Sequence, residues 1–308
     1  EPRSNPAPNN SVGAAVAIDD SNTVYAWTSQ QVLVSHDGAL TWSVLRSGPF
    51  AGPIVPDPTD AKVLWSVGGD AVSRSTDDGS TWQAVNAAKM TASRLVIDRH
   101  SPATLVALGT EESLSGPIPT IWISRDGAAT WKASGPTLGP SDVYWDVAVD
   151  GVNDVIYVSA GHSAAGPPIG YLARSSDGGA TWTKLAGVPL LRDLAVDPLS
   201  PMTVFGVPEG NALFGKSTDN GATWTWSSSQ IGGIIATNPA IQGYYLLGVG
   251  NTGSVLLSTD GGSSWTTSFG TQEATQPFAS TIAFAPSDAS VVYVAVENGI
   301  FRSVTGGE

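Results

Sequence analysis

One phrase returns along this chain at nearly constant intervals, and a repeat of that kind leaves few folds open. Ser35-His-Asp37-Gly-Ala-Leu-Thr41-Trp42 is followed by Ser75-Thr-Asp77-Asp-Gly79-Ser-Thr81-Trp82 and Ser124-Arg-Asp126-Gly-Ala-Ala-Thr130-Trp131. Ser175-Ser-Asp177-Gly-Gly179-Ala-Thr181-Trp182, Ser217-Thr-Asp219-Asn-Gly221-Ala-Thr223-Trp224 and Ser258-Thr-Asp260-Gly-Gly262-Ser-Ser264-Trp265 complete six copies. A seventh, Ser303-Val-Thr305-Gly306-Gly307-Glu308, has Thr where Asp is expected and stops short of a tryptophan. Successive tryptophans lie 40, 49, 51, 42 and 41 residues apart, each the length of one four-stranded propeller blade.

The residues of the phrase have a physical logic. Asp at the head of a tight turn accepts hydrogen bonds from backbone N–H groups one and two residues on, and the Gly that follows takes the φ > 0 position. Thr and Trp then re-enter a strand, where the indole packs between blades with its N–H near a partner. Upstream of each turn lie three short β-branched segments in constant order, ending in Asp-Pro or Asn-Pro breaks at several units. The first of them are Ala14–Asp19, Pro53–Asp57, Arg94–Asp98, Asp146–Asp150, Asp193–Asp197, Ile234–Asn238 and Thr281–Ala285. The expectation is an all-β, seven-bladed β-propeller of four-stranded antiparallel blades over 1–308 as a single domain, with the Asp turns between third and fourth strands. Unit seven lacks its outer strand. Either the extended N-terminal segment 1–11 supplies it, or the chain continues past Glu308.

Composition fits that reading and narrows the partners. Charged residues are only 13% of the chain against 41% hydrophobic, enough apolar material for a sizeable core. The formal charge of −13 comes without any Lys/Arg cluster, so nucleic acid is not expected as a partner. No apolar run is long enough for a membrane span, and a monomer is expected. There is no cysteine, and His36, His100 and His162 share no metal-ligand spacing, so neither metal nor cofactor is expected. Little lysine and much Ala, Gly, Ser and Thr point to a secreted protein.

The phrase S-x-D-x-G-x-T-W resembles the Asp box, or BNR repeat, of sialidases, xyloglucan-hydrolysing glycosidases, the sortilin ectodomain and photosystem II assembly factors. The stretch Leu194-Ala-Val-Asp197-Pro-Leu-Ser-Pro201-Met-Thr-Val-Phe205 looks most like the xyloglucanase and sortilin branch. The resemblance implies structural roles for Asp37, Asp77, Asp126, Asp177, Asp219 and Asp260, and for Trp42, Trp82, Trp131, Trp182, Trp224 and Trp265. Sialidase activity is not expected, because the Arg-Ile-Pro motif is missing; of nine arginines, Arg74, Arg125, Arg174 and Arg302 sit beside the repeat turns. Xyloglucanases of this kind carry a catalytic Asp after the second strand of an early blade and pair two propellers. Here that strand reads Tyr25-Ala-Trp27-Thr28-Ser29, without the acid.

Two loop faces follow from blade order. One carries the uniform Asp turns; the other carries loops of variable length, Gly109–Thr120, Gly135–Tyr144, Ala160–Gly170 and Gly270–Ser280, and irregular loops on a rigid scaffold are where ligands bind. Aligning first strands by their terminal turns puts Ala15, Pro53, Arg94, Asp146, Asp193, Ile234 and Thr281 at equivalent positions. Asp146 and Asp193 on neighbouring blades are the candidate catalytic acid and base; the alternative is a salt bridge from either to Arg94 or Arg192. Arg94, Trp145, Arg192, Tyr144, His162 and Glu111 are the candidate ligand-binding residues, with Glu112 beside them. Together they suggest a carbohydrate-engaging propeller with glycoside-cleaving capacity. The rival readings are a non-catalytic protein-interaction scaffold and one propeller of a larger two-propeller glycosidase.

Overall fold

The computed structural model describes residues 13–16, 19–28, 30–48, 53–68, 71–87, 90–139, 141–162, 168–209, 213–227, 233–249, 254–269, 279–296 and 299–308. The fold class is that of a seven-bladed β-propeller, all-β, with no helix among the described residues. In chain order the sheets are β1–β4 (Gly13–Val16, Val24–Trp27, Gln31–Ser35, Ser43–Ser47) and β5–β8 (Ile54–Pro56, Leu64–Gly68, Ala71–Ser75, Gln83–Ala84). Next come β9–β12 (Met90–Ile97, Leu105–Glu111, Ile118–Ser124, Lys132–Ser134), β13–β16 (Val143–Asp150, Val155–His162, Ile169–Ser175, Thr183–Leu185) and β17–β20 (Leu191–Asp197, Ser200–Pro208, Gly215–Ser217, Thr225–Trp226). The last two are β21–β24 (Gly233–Thr237, Tyr245–Val249, Val255–Ser258, Thr266–Phe269) and the three-stranded β25–β27 (Ala279–Ala285, Asp288–Val296, Gly299–Ser303). Strands pair with their sequence neighbours, and each pairing whose register is resolved is antiparallel. The segment 1–11 expected to close the last blade lies outside the described residues.

The chain divides into two compact units, one made of Glu1–Gly69, Arg74–Gln83 and Ile231–Glu308, the other of Asp70–Ser73 and Ala84–Gln230. In the first unit Tyr25, Val32, Val34, Ile54 and Leu64 form one apolar layer, and Leu246, Val292, Val294 and Phe284 form another. In the second, Val106, Leu108, Ile121, Val147, Ile156 and Val158 pack between the third and fourth sheets. Each such side chain contributes about 1.5–3 kcal/mol when fully buried.

The repeated turns are built alike. Ser175 Oγ donates to Asp177 Oδ1 (2.7 Å) and accepts from Gly179 N (2.7 Å), while Asp177 accepts from Thr181 N at Oδ1 (2.8 Å) and from Thr181 Oγ1 at Oδ2 (2.6 Å). The same bonds recur at Asp37, Asp77, Asp126, Asp219 and Asp260. The donors therefore sit four residues on, with a third-residue N–H added at Asp37 and Asp260, and not one and two residues on as expected. The reason is backbone: two successive residues adopt φ > 0 in every turn, including Asp78, Asn220, Ala39 and Ala128, and this curls the chain back over the carboxylate. The hydroxyl bonds from Thr181, Thr223 and Ser264, and then the backbone bonds, hold Asp177, Asp219 and Asp260 down to about 2. The turn Ser303–Glu308 keeps the shape without a carboxylate: Gly307 N donates to Ser303 Oγ (3.0 Å), and Thr305 Oγ1 donates to the Glu308 carbonyl (2.8 Å).

Arginines beside the turns tie each to its neighbour. Arg125 Nη2 donates to Gly178 O (3.0 Å) and pairs with Asp154, Arg174 Nη1 donates to Asn220 O (2.9 Å), and Arg302 Nη2 donates to Asn22 Oδ1 (2.9 Å).

Candidate functional site on the third to fifth sheets

The first strands of the third, fourth and fifth sheets each carry a β-bulge at one equivalent place. Register shifts fall between Leu108 and Gly109 against β9, between Tyr144 and Asp146, and between Leu191 and Asp193, so Ser93, Trp145 and Arg192 are the extra residues. A bulge bends the strand and re-aims the side chain that follows it. Those followers are Arg94, Asp146 and Asp193, three of the seven positions that alignment of the first strands made equivalent.

Asp146 has no exposed surface. Its Oδ1 accepts from Arg94 Nε (2.7 Å) and from its neighbour's amide, Val147 N (2.6 Å), and its Oδ2 accepts from Leu194 N (2.7 Å). One carboxylate thus joins a guanidinium from β9 to a backbone amide of β17. Burial pushes the Asp146 carboxyl up, Arg94 opposes the rise, and the charge of Asp193 adds to it. The arrangement contains the Arg94 salt bridge anticipated as the alternative to catalysis.

Three residues upstream the same strand enters a second cluster. A cavity of about 630 Å³ opens beside Pro117, Ile118, Pro119, Thr137, Leu138 and Tyr144. Its polar wall is Asp142, whose Oδ1 lies 2.8 Å from His162 Nδ1 and whose Oδ2 accepts from Gly139 N (3.0 Å). The His162 bond and the Gly139 amide hold the Asp142 carboxyl below its ordinary range. Tyr144 OH donates to Pro136 O (3.2 Å), Tyr171 OH donates to Thr137 O (3.3 Å), and Lys184 Nζ stands 3.9 Å from the Tyr171 ring centre. The loop that frames the cavity is therefore pinned by two phenols, and Tyr144, mostly buried, is pushed well above the usual phenol range. A pre-formed, largely apolar concavity with a few fixed polar groups is what a ligand site requires.

The expected residues thus fall into two groups that share β13. Arg94, Asp146 and Asp193 meet at the first strands, with Arg192 exposed at its bulge. Tyr144 and, through Asp142, His162 belong to the cavity. Trp145 donates its Nε1 to Gly161 O (3.2 Å), and Glu111 ends β10 opposite Met90 and Ile118. Asp142, Tyr171 and Lys184 were not singled out from the sequence. The one signal for Asp142 is its place in the long loop Gly135–Tyr144. Among the described residues no group of three His, Asp or Glu side chains is placed to hold a metal, and no helix is long and apolar enough to cross a membrane.

No family model matches the chain. It is 24% identical over 251 residues, 76% of its length, to a xyloglucanase of Paenibacillus sp. The chain spans about a quarter of the length of the curated relatives it matches. Among solved structures, YCF48 bound to D1 peptide superposes with a TM-score of 0.68 at 16% identity, over 99% of this chain and 96% of that one. The GH74 xyloglucanase of Xanthomonas campestris superposes with a TM-score of 0.59 at 16% identity, over 97% of this chain and 66% of that one. Likeness at these identities establishes the propeller fold.

Proposed function

We propose that this chain is a secreted propeller that engages carbohydrate through the loop face of its third to fifth sheets. The observation that carries the reading is the cavity lined by Tyr144, Pro117, Pro119 and Asp142, the last held by His162. An aromatic ring, apolar flanks and a fixed carboxylate are the parts that bind a sugar's C–H face and hydroxyls. The xyloglucanase likeness makes xyloglucan oligosaccharides the first ligands to try. Cleavage by Asp146 and Asp193 is the stronger form of the same proposal. A general acid must reach the glycosidic oxygen, whereas the oxygens of Asp146 are occupied by Arg94, Val147 and Leu194. Binding is therefore the form advanced here.

A glycan array run together with a hydrolysis screen on plant and bacterial polysaccharides tests both forms. The expected outcome is saturable binding of a β-glucan or xyloglucan fragment, weakened about tenfold by Asp142→Ala, with no release of reducing ends. Silence on the array would reject carbohydrate engagement. Hydrolysis lost in Asp146→Asn would reinstate the catalytic form. The rival, a protein-interaction scaffold, draws on the match to nearly the whole of YCF48, and capture of a protein partner with no glycan response would favour it.

A further inference from the structure

The pairing of the fourth sheet gathers five polar or aromatic side chains on one face. Tyr144 lies opposite Ala160 and Ala160 opposite Tyr171, and the bond between Asp142 and His162 continues the same register two residues further. Side chains two apart along a strand share a face, so Asp142, Tyr144, His162 and Tyr171 stand together, and Lys184, opposite Ala173, stands with them. Asp142 and Tyr144 line the cavity, which makes this the face turned towards it. The strand end that carries His162 is shaped for the purpose. Gly161 adopts a φ of 153°, and a Cβ there would run into Ile169 O, so glycine is what lets β14 and β15 stay paired as far as His162 and Ile169.

Asp142 fixes the chemistry of the imidazole. Its carboxyl, held below the ordinary range, can only accept a hydrogen bond. His162 Nδ1 is therefore the donor across the 2.8 Å to Oδ1, and in the neutral ring this leaves the lone pair on Nε2. Among the described residues Nε2 has no hydrogen-bond partner, and the His162 side chain is 34% exposed against 13% for Asp142, so the unpaired edge of the ring is the open one. The other titratable groups on the face are Tyr144, Tyr171 and Lys184, whose charge also acts on Asp142. Across the cavity the walls at 117–119 and 135–139 carry none, and Glu111 stands opposite Ile118 at the end of β10.

We propose that Asp142 and His162 Nε2 form a pair of acceptors for a vicinal diol, one hydroxyl donating to the carboxylate and the other to the imidazole, so that the ligand is held by the neutral ring and released when the ring takes up a proton. The diol is a sugar's, and the role rests on the carbohydrate reading of the same cavity. Protonation has two effects of opposite sign here. It replaces the acceptor at Nε2 with an N–H, which removes the ligand's bond, and it adds charge to the pair with Asp142, which ties the loop down more firmly. A histidine that only secured the loop would leave sugar bound as well or better in acid. One that reads the ligand loses it.

Isothermal titration calorimetry of the full chain with xyloglucan heptasaccharide separates the two. An imidazole changes charge between about pH 5 and pH 8, so affinity at pH 8 should exceed that at pH 5 about fivefold. Near pH ~6, titrations in two buffers of different ionisation heat should show protons released on binding. His162→Asn, whose shorter amide can donate to Asp142 without reaching the place of Nε2, should bind at both pH values as the parent does at pH 5. Sugar bound equally or more tightly at pH 5, no proton release, or an unchanged pH dependence in His162→Asn would each overturn the diol pair and leave the carbohydrate reading standing. Absence of binding at both pH values would remove both.

Discussion

Arg94 is partly exposed, but the carboxylate it touches is not, and the two ends of this pair respond differently to mutation. Asp146→Ala removes the acceptor for Leu194 N and Val147 N as well as the partner of Arg94, and should cost about 3–5 kcal/mol in urea unfolding. Arg94→Ala leaves a carboxylate at zero exposure without its cation, so its cost depends on pH. The folded-state pKa of Asp146 is already raised above the unfolded value near ~3.9, and loss of Arg94 raises it further. A raised carboxyl contributes stability that is kept at low pH and lost as pH climbs towards and through the folded value. The deficit of Arg94→Ala relative to the parent should therefore grow between pH 5 and pH 8, and equal deficits at the two pH values would show that Asp146 is not the buried charge described. The sequence allowed this pairing as one of two readings, because Arg94, Asp146 and Asp193 occupy equivalent positions. Burial was what it could not supply: whether an inner-strand Asp points to solvent or between sheets depends on a bulge at the residue before it.

At the scale of elements, the turns act as a set. Their carboxyls are depressed, so they contribute stability that is complete above the unfolded value near ~3.9 and lost as pH falls through the folded value of about 2. The melting temperature should drop steeply below about pH 4; Thr181→Val and Thr223→Val, which delete the hydroxyl donors, should lower it at neutral pH and make that acid fall shallower. A flat melting profile down to pH 2.5 would contradict the hydrogen-bonded turn. Strand order and the number of sheets were legible because the phrase marks one turn per unit. Strand starts were less so. β9 begins at Met90 and β13 at Val143, four and three residues before the alternation could be followed from Arg94 and Asp146, since a bulge shifts inward and outward positions by one.

For the whole molecule, the repeat that makes the fold readable also hides the site. A period reports what every unit shares, and the shared residues are those that close turns and seat indoles. The cavity at Pro117–Tyr144 is built from the loops that depart from the period, where Asp142 and Tyr171 carry no signature until three-dimensional structure brings them to His162 and Thr137. Soaking crystals with a xyloglucan heptasaccharide tests directly whether the irregular loops beside Tyr144 bind carbohydrate. Sugar density is expected against Tyr144 with a hydroxyl on Asp142, and Asp146 still bonded to Arg94 and Leu194. Sugar bound at the turn face, or in contact with a freed Asp146 carboxylate, would contradict it.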